Sequence, residues 1–559
     1  MKPAISKKWV LPEKVTAEFE EIFHEYPRPF QQLLYNRGFH DLVDARQFLT
    51  PDSILGDPFQ LLNMEKVVER VLHAVHEREP IAIYGDYDVD GVTATALLLQ
   101  FLQSMGALVT PYIPDRFDEG YGLNTTALDA LKAIGIDLVI SVDCGIRSVH
   151  EAEYAHQIGL DLIISDHHHP KQEVPPALAV VCPKQDDDRY PFKDFAGVGL
   201  AFKIAQAINQ SEPRNINVED WLDLVALGTV ADMVPLVGEN RILVRWGLNI
   251  AHQEQRLGIV KLAKVSGLNL TKLSSADISF ILGPRLNAAG RLESARRALQ
   301  LLLVDEEEGA IQIAQELDQQ NYTRQRMTRD TQLHAQSIVK DHEYILFAMD
   351  KEFNEGIVGL AASKLVEAFY RPAIVGTYRE DNTLRASCRS IPEFHITNAL
   401  DECSELLVHY GGHALAAGFT IQQENIDTFI EKMESIASRE LSGRELLPEI
   451  HADAMVTMTD LNPTLLDFFD QFEPTGVGNP APLLVSQNVR VKNARTVGKD
   501  SSHLYLTLSD GRFTTNAIGF GLGHSVDKLP TQIDILFAFE RNYYQGENGS
   551  RLRIVDMKY

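Results

Sequence analysis

IAIYGDYDVDGVTATALLLQ (residues 81–100) opens with an apolar, β-branched run, Ile81 to Tyr84, that reads as a buried strand. After Gly85 the acids Asp86, Asp88 and Asp90 alternate, and from Gly91 onward the pattern turns helical. Three carboxylates crowded where a buried strand gives way to a helix repel one another. A hard divalent cation is the usual holder of such a group. A solvated acidic turn is the plain alternative for this stretch taken alone.

Working outward, strands and helices alternate over residues 66–236. LVTPYIP (108–114) is a second strand, followed by the polar loop DRFDEGYGLN. IDLVISVDCG (136–145) is a third, ending in Asp143. LDLIISDHHHP (160–170) is a fourth, ending in Asp166, His167, His168 and His169, and ALAVVCP (177–183) is a short fifth. The helices between them, 91–105, 124–134 and 147–158, suit right-handed crossovers of a parallel sheet. Such sheets bind ligands outside the carboxyl ends of their strands. Asp86, Asp88, Asp90, Asp143, Asp166 and His167 all fall there. WLDLVALGTVADMVPL (221–236) adds Asp232 within an apolar run, where a lone buried aspartate is costly unless paired or bound to a metal. An N-cap is the alternative for it.

The chain has 559 residues, enough for three or four domains. We divide it into a helical lead-in (1–65), an α/β parallel-sheet domain (66–236), a helical connector (237–342), a smaller α/β domain (343–445) and a C-terminal barrel (446–559). In the connector, GPRLNAAGR (283–291) places Arg285 and Arg291 around a glycine-flanked turn. In the smaller domain LRASCRS (384–390) is a strand. GGHALAAGF (411–419) reads as a Gly-Gly-His turn opening a helix, where the backbone can approach an anion; an ordinary helix start is the alternative. From 454 onward, short alternating strands separated by DG and GENG turns read as an oligonucleotide-binding (OB) type of barrel, with a barrel used only for packing as the alternative.

Four scattered cysteines without a CxxC pair argue against a zinc ribbon or a disulfide framework and fit a reducing cytoplasm. The N-terminal residues lack the apolar core of a signal peptide, and no run reaches about 18 apolar residues, so a soluble cytoplasmic protein with no membrane contact is expected. A net charge of −26 argues against nonspecific coating of duplex DNA, but not against an enzyme whose basic residues line one groove. No GxxxxGK[ST] loop is present, which disfavours a nucleotide-driven motor. Aspartates and histidine converging without cysteine favour Mn²⁺ or Mg²⁺ over structural zinc, in a number that suits two ions. Two ions about 4 Å apart can activate water and stabilise an in-line phosphoryl displacement. Phosphoester hydrolysis is the expected chemistry.

YGDYDVDG (84–91), VDCG (142–145), SDHHHP (165–170) and ALGTVADMVPL (226–236) resemble, in order and spacing, the four motifs of the DHH phosphoesterase superfamily. SCRS with GGHALAAGF resembles its DHH-associated domain. With the lead-in and the barrel, the likeness runs nearly end to end to that superfamily's single-stranded-DNA-specific exonucleases. The resemblance implies one metal held by Asp86 or a neighbour with Asp88 and Asp143, and a second held by Asp90, Asp143, His167 and Asp232, with Asp143 bridging. Relatives differ at the position of Asp86. It further implies that His168 meets the scissile phosphate or leaving oxygen, that Asp166 orients the histidines and that His169 is structural. Across a cleft, His413 and the Gly411 and Gly412 amides would contact phosphate. Ser387 and Arg389, helped by Arg116, would recognise a 5′-terminal phosphate, and Arg285 would touch the backbone. The implied activity is processive 5′→3′ release of mononucleotides, with Tyr505, Tyr543 and Tyr544 as stacking candidates. The implied partners are single-stranded DNA with a 5′ end, a single-strand-binding protein and a helicase, and the chain itself is expected to be a monomer. Two rivals are a small-substrate member of the superfamily (a pyrophosphatase, or an oligonucleotide or cyclic-dinucleotide phosphodiesterase) and an inactive nucleic-acid-binding scaffold. The barrel disfavours the first and the intact acids the second.

Overall fold

The structure is a computed structural model that describes residues 6–50, 55–115, 119, 122–171, 173–292, 294–341, 343–498, 500–542 and 549–559. Arg116, Tyr543 and Tyr544 lie outside the described residues. The chain forms two compact units. One holds Gln319–Ile450 with the first residues up to Val10; the other holds Leu11–Asp318 with His451–Tyr559.

The larger unit is built on a five-stranded parallel sheet of β1 (Ile81–Gly85), β2 (Val109–Tyr112), β3 (Leu138–Val142), β4 (Asp161–Ser165) and β5 (Ala179–Val181), in the order β2-β1-β3-β4-β5. Cross-strand register places Gly85, Val142 and Ser165 in one row, so Asp86, Asp143 and Asp166 leave the sheet at one level. Strand order reverses at the β1/β3 boundary, the place where sheets of this winding open a crevice. Ile81 and Ile83 pack on one side of the sheet, in a core shared with α1 (Val89–Ser104), α2 (Gly197–Ser211) and α3 (Leu222–Ala231). Ala82 and Tyr84 face helices Thr125–Ala133 and Val149–Gln157 on the other side. Burial all round explains why α1 and α3 carry no polar stripe. Asp232 follows α3 as its C-cap rather than serving as an N-cap.

On α4 (Gly238–Ala251), Arg241 is buried, and its guanidinium donates to the carbonyls of Phe48, Gln471, Phe472 and Pro474 at 2.7–3.1 Å. GPRLNAAGR is not a turn. A π-helical segment, Ile278–Leu282, runs directly into α5 (Gly283–Leu292). Proline misleads here because it sits inside a continuous helical run, two residues past the π-helical turn, a place where it ordinarily breaks a helix.

The smaller unit has a sheet of β6 (Lys340–Asp341), β7 (Leu346–Met349), β8 (Ala373–Tyr378), β9 (Thr383–Arg389), β10 (Leu407–His413) and β11 (Ala416–Gln422), in the order β10-β11-β9-β8-β7-β6. Helix α6 (Val358–Phe369) packs on β7 and β8 from one side, and helices Ile396–Asp401 and Ile426–Leu441 fill the other. The helix expected after Gly-Gly-His is instead the antiparallel hairpin β10/β11. Ala417, Phe419 and Ile421 alternate inward along it, a period of two that the small residues between them obscure.

The C-terminal barrel comprises β12 (Ala454–Met455), β13 (Leu484–Val497), β14 (His503–Ser509), β15 (Thr514–Gly519), β16 (Gln532–Asn542) and β17 (Gly549–Lys558). Pairing of β13 with β16 closes it. Its core is continuous with Phe19, Phe23, Phe30 and Leu33 of the lead-in, so that segment packs on the barrel. Among the described residues, no helix is long and apolar enough to cross a membrane.

Candidate metal centre and phosphate-binding sheet

The acids foreseen at the carboxyl edge of the sheet do meet. Ligand atoms of Asp86, Asp88 and Asp143 lie within 4.8 Å of one another, as do those of Asp90, His167 and Asp232, and those of Asp143, His167 and His168. His167 Nε2 is 3.1 Å from Asp143, 3.5 Å from Asp232 and 3.9 Å from Asp90, yet it makes no well-aligned hydrogen bond to any of them. A buried ring nitrogen within 3.9 Å of three carboxylates, with no hydrogen-bond geometry to them, is a donor arrangement that fits a hard cation.

Local backbone devices hold these groups. Asp88 caps α1 by accepting from Gly91 N–H at 3.1 Å. Asp90 accepts from the N–H groups of Gly197 and Val198, at 2.6 and 2.9 Å, at the start of α2. Asp143 sits in the left-handed region (φ 62°), which turns its side chain back over the sheet edge at a cost of about 1 kcal/mol. Gly197 and Gly228 are needed for closeness: a Cβ on the first would lie 2.6 Å from Asp143 Cβ, and on the second 2.9 Å from Asp90 Oδ1. Asp166 accepts from Ile146 N–H and from the backbone of His168, and its Oδ1 lies 2.8 Å from His168 Nδ1. His169 contributes a carbonyl to Arg147 Nε.

Crowding shows in the proton affinities. Burial, then the charge of Asp88, pushes Asp90 up to about 7. Burial, then Asp90 and Asp88, pushes Asp232 up to about 9. Asp143 is raised well above the carboxylate range by burial and by its four acidic neighbours. Burial and the neighbouring His168 push His167 down to about 3, so it is a neutral donor of a lone pair. His168 goes the other way: burial pulls it down, but the hydrogen bond and charge of Asp166 raise it overall. Buried acids that prefer to keep protons, beside a neutral imidazole, make a site that favours added positive charge.

A cleft of about 330 Å³ opens on this cluster, lined by Asp86, Asp88 and Asp232 and, from α5, by Asn287, Gly290 and Arg291. Of this α5 wall the sequence singles out Arg291 but not Asn287 or Gly290. Arg285 points elsewhere, its Nε donating to Asp318 at 2.8 Å and its Nη1 to the carbonyl of Ile281.

In the smaller unit, register sets Ser387 beside Gly418 and Gly411, and Arg389 beside Ala416 and His413, across β9, β11 and β10. Cross-strand neighbours share a face. A Cβ on Gly359, in the first turn of α6, would lie 3.2 Å from Arg389 Nη2 and 3.3 Å from Ser387 Oγ, so the helix start stands over this pair. Arg389 is half-buried, and desolvation pulls its guanidinium below its usual value. Its Nη1 donates to the carbonyl of Cys388. Gly412 is tightly placed, since a Cβ there would meet Ala416 O at 2.4 Å. A fork of donors, a hydroxyl and a helix N-terminus are a donor set that fits an anion.

Residues 80–229 match the DHH family N-terminal domain, 341–439 the DHHA1 domain and 452–556 the RecJ OB domain. The single-stranded-DNA-specific exonuclease RecJ of Escherichia coli (strain K12) is 32% identical over 557 residues, covering 95% of this chain and 96% of that one. The chain belongs to the RecJ family. RecJ of Bacillus subtilis (strain 168) is 38% identical over 531 residues, 94% of this chain and 67% of the relative. The crystal structure of RecJ in complex with Mn²⁺ from Thermus thermophilus superposes with a TM-score of 0.86 at 27% identity, covering 100% of this chain and 80% of that one. The same RecJ with Mg²⁺ gives a TM-score of 0.79 at 26% identity, covering 99% and 78%.

Proposed function

We propose that this chain is a metal-dependent, single-stranded-DNA-specific exonuclease of DNA repair and recombination that releases mononucleotides 5′→3′. The observation that carries the reading is the meeting of Asp86, Asp88, Asp90, Asp143, His167 and Asp232 at the carboxyl edge of one sheet. Asp86, Asp88 and Asp143 would hold one ion, and Asp90, Asp143, His167 and Asp232 the other, with Asp143 shared. When bound, two Mn²⁺ or Mg²⁺ ions supply an activated water and neutralise charge on the phosphodiester.

The chain's own groups do the rest. His168, whose Nδ1 faces Asp166, donates from Nε2 to a phosphate oxygen or to the leaving oxygen. Asp166 keeps that ring oriented and favours its protonated form. Ser387 and Arg389 bind the 5′-terminal phosphate, with Gly411, Gly412 and His413 along the same sheet; Arg116 is proposed as a helper. Arg285, whose Nε donates to Asp318, is the proposed contact to the strand backbone. On the barrel, Tyr505 carries Arg495 at 4.8 Å over its ring, a surface on which a base can stack. We place the protein in the cytoplasm as a monomer working with a single-strand-binding protein and a helicase. Buried, unbridged cysteines suit that compartment.

The test is incubation with Mn²⁺ and 5′-labelled strands. Labelled mononucleotide released from single strands and not from blunt duplex supports the reading. Cleavage confined to pyrophosphate or dinucleotides, or binding without turnover, would overturn it.

A further inference from the structure

Helix α5 meets the metal-side loop at two points. Asn287 Oδ1 accepts a hydrogen bond from Val89 N–H at 3.2 Å. Val89 lies between Asp88 and Asp90 and is the first residue of α1, so its N–H has no partner within the helix. One turn along α5, Gly290 passes so close to the loop that a Cβ would lie 2.7 Å from the carbonyl oxygen of Tyr87. Positions i and i+3 share a helix face, so one face of α5 presses on the whole Tyr87–Val89 segment. The π-helical segment just before α5 shifts the helical phase by a residue and so sets which face that is.

We propose that Asn287 is a positioning residue for the metal centre. Its carbonyl oxygen holds the Val89 peptide so that Asp88 reaches one ligand group and Asp90 the other, and Gly290 sets the distance. Without Asn287 the Val89 N–H must seek another acceptor. Asp88 and Asp90, its chain neighbours, are acceptors of that kind, and they are the groups wanted for the cation. The inference rests on the metal-holding reading of those acids.

Mn²⁺ binding to the full chain, followed by the EPR signal of free Mn²⁺, separates the two claims. Asn287→Ala should weaken binding roughly 10- to 100-fold, the usual consequence of losing a group that orients a metal ligand. Asn287→Asp keeps an acceptor at that point and should bind at least as tightly as the wild type. Gly290→Ala presses a methyl on Tyr87 and should also weaken binding, which provides a second variant if Asn287→Ala does not fold. Thermal unfolding in chelator checks that each variant is folded. Wild-type affinity in Asn287→Ala and Gly290→Ala, or equal loss in Asn287→Ala and Asn287→Asp, overturns the inference while leaving the metal centre intact. A wild-type chain that takes up no Mn²⁺ overturns the metal centre and this inference with it.

Discussion

Asp143 is the residue on which both proposed ligand sets depend, because its carboxylate belongs to the Asp86/Asp88 group and also faces His167. Asp143→Ala should lower turnover on the order of 10³-fold, the scale of removing one preorganised charge-stabilising group, while leaving strand binding measurable by anisotropy. Near-normal turnover would refute the shared-ligand assignment. The acids also set a pH dependence. Asp90 and Asp232 are raised in the folded chain, so without metal it binds more protons than the unfolded chain does. Stability from these groups is full below the ordinary carboxylate range and is lost as pH rises through about 7 and about 9. His167, pushed down to about 3, opposes this only below its unfolded value near 6.5. The melting temperature in chelator should therefore fall between pH 6.5 and 9, and Mn²⁺ should remove the slope. A flat profile in chelator would show that the acids are not crowded as described. Metal uptake should release protons, most strongly below pH 7.

At the scale of elements, glycines set the reach of the centre. Gly228 on α3 faces α1, and a Cβ there would come within 2.3 Å of Thr93 Oγ1 as well as crowding Asp90. Gly228→Ala should cost about 1–3 kcal/mol in urea unfolding and weaken Mn²⁺ binding together, since the same overpacking displaces Asp90. The strand ends were legible in the sequence because each buried run stops abruptly at an acid, and a parallel sheet brings such ends to one level. The β10/β11 hairpin was not legible, because alanines and glycines carry its alternation and a Gly-Gly pair is as good a helix lead as a strand. The contact of Asn287 with the Val89 peptide was not legible for a related reason. Which face of α5 meets the loop depends on the π segment before it, and no periodicity read from residues alone reports that offset. The clamp on Asp90 was hidden too, since backbone N–H groups leave no residue signature beyond the glycines of Ala196–Gly199.

At the scale of the molecule, Arg241 joins distant parts of the larger unit. Its hydrogen-bond partners are four carbonyls from two remote segments, and no carboxylate is among them. Its guanidinium is pulled down to about 9 by burial and by Arg245. Arg241→Met keeps the bulk but strands those carbonyls, and should cost about 3 kcal/mol or more in denaturant unfolding. It should also loosen the 471–474 segment, seen as faster amide exchange there. Unchanged stability would show that water replaces the guanidinium. The clamp on Asp90 has a different consequence. Because peptide amides of α2 seat that carboxylate before any cation arrives, the cage is shaped in advance, and its crowding is relieved by protons that an incoming ion displaces. Stripping the protein with chelator should thus be fully reversible, with activity returning as fast as the ions are mixed back.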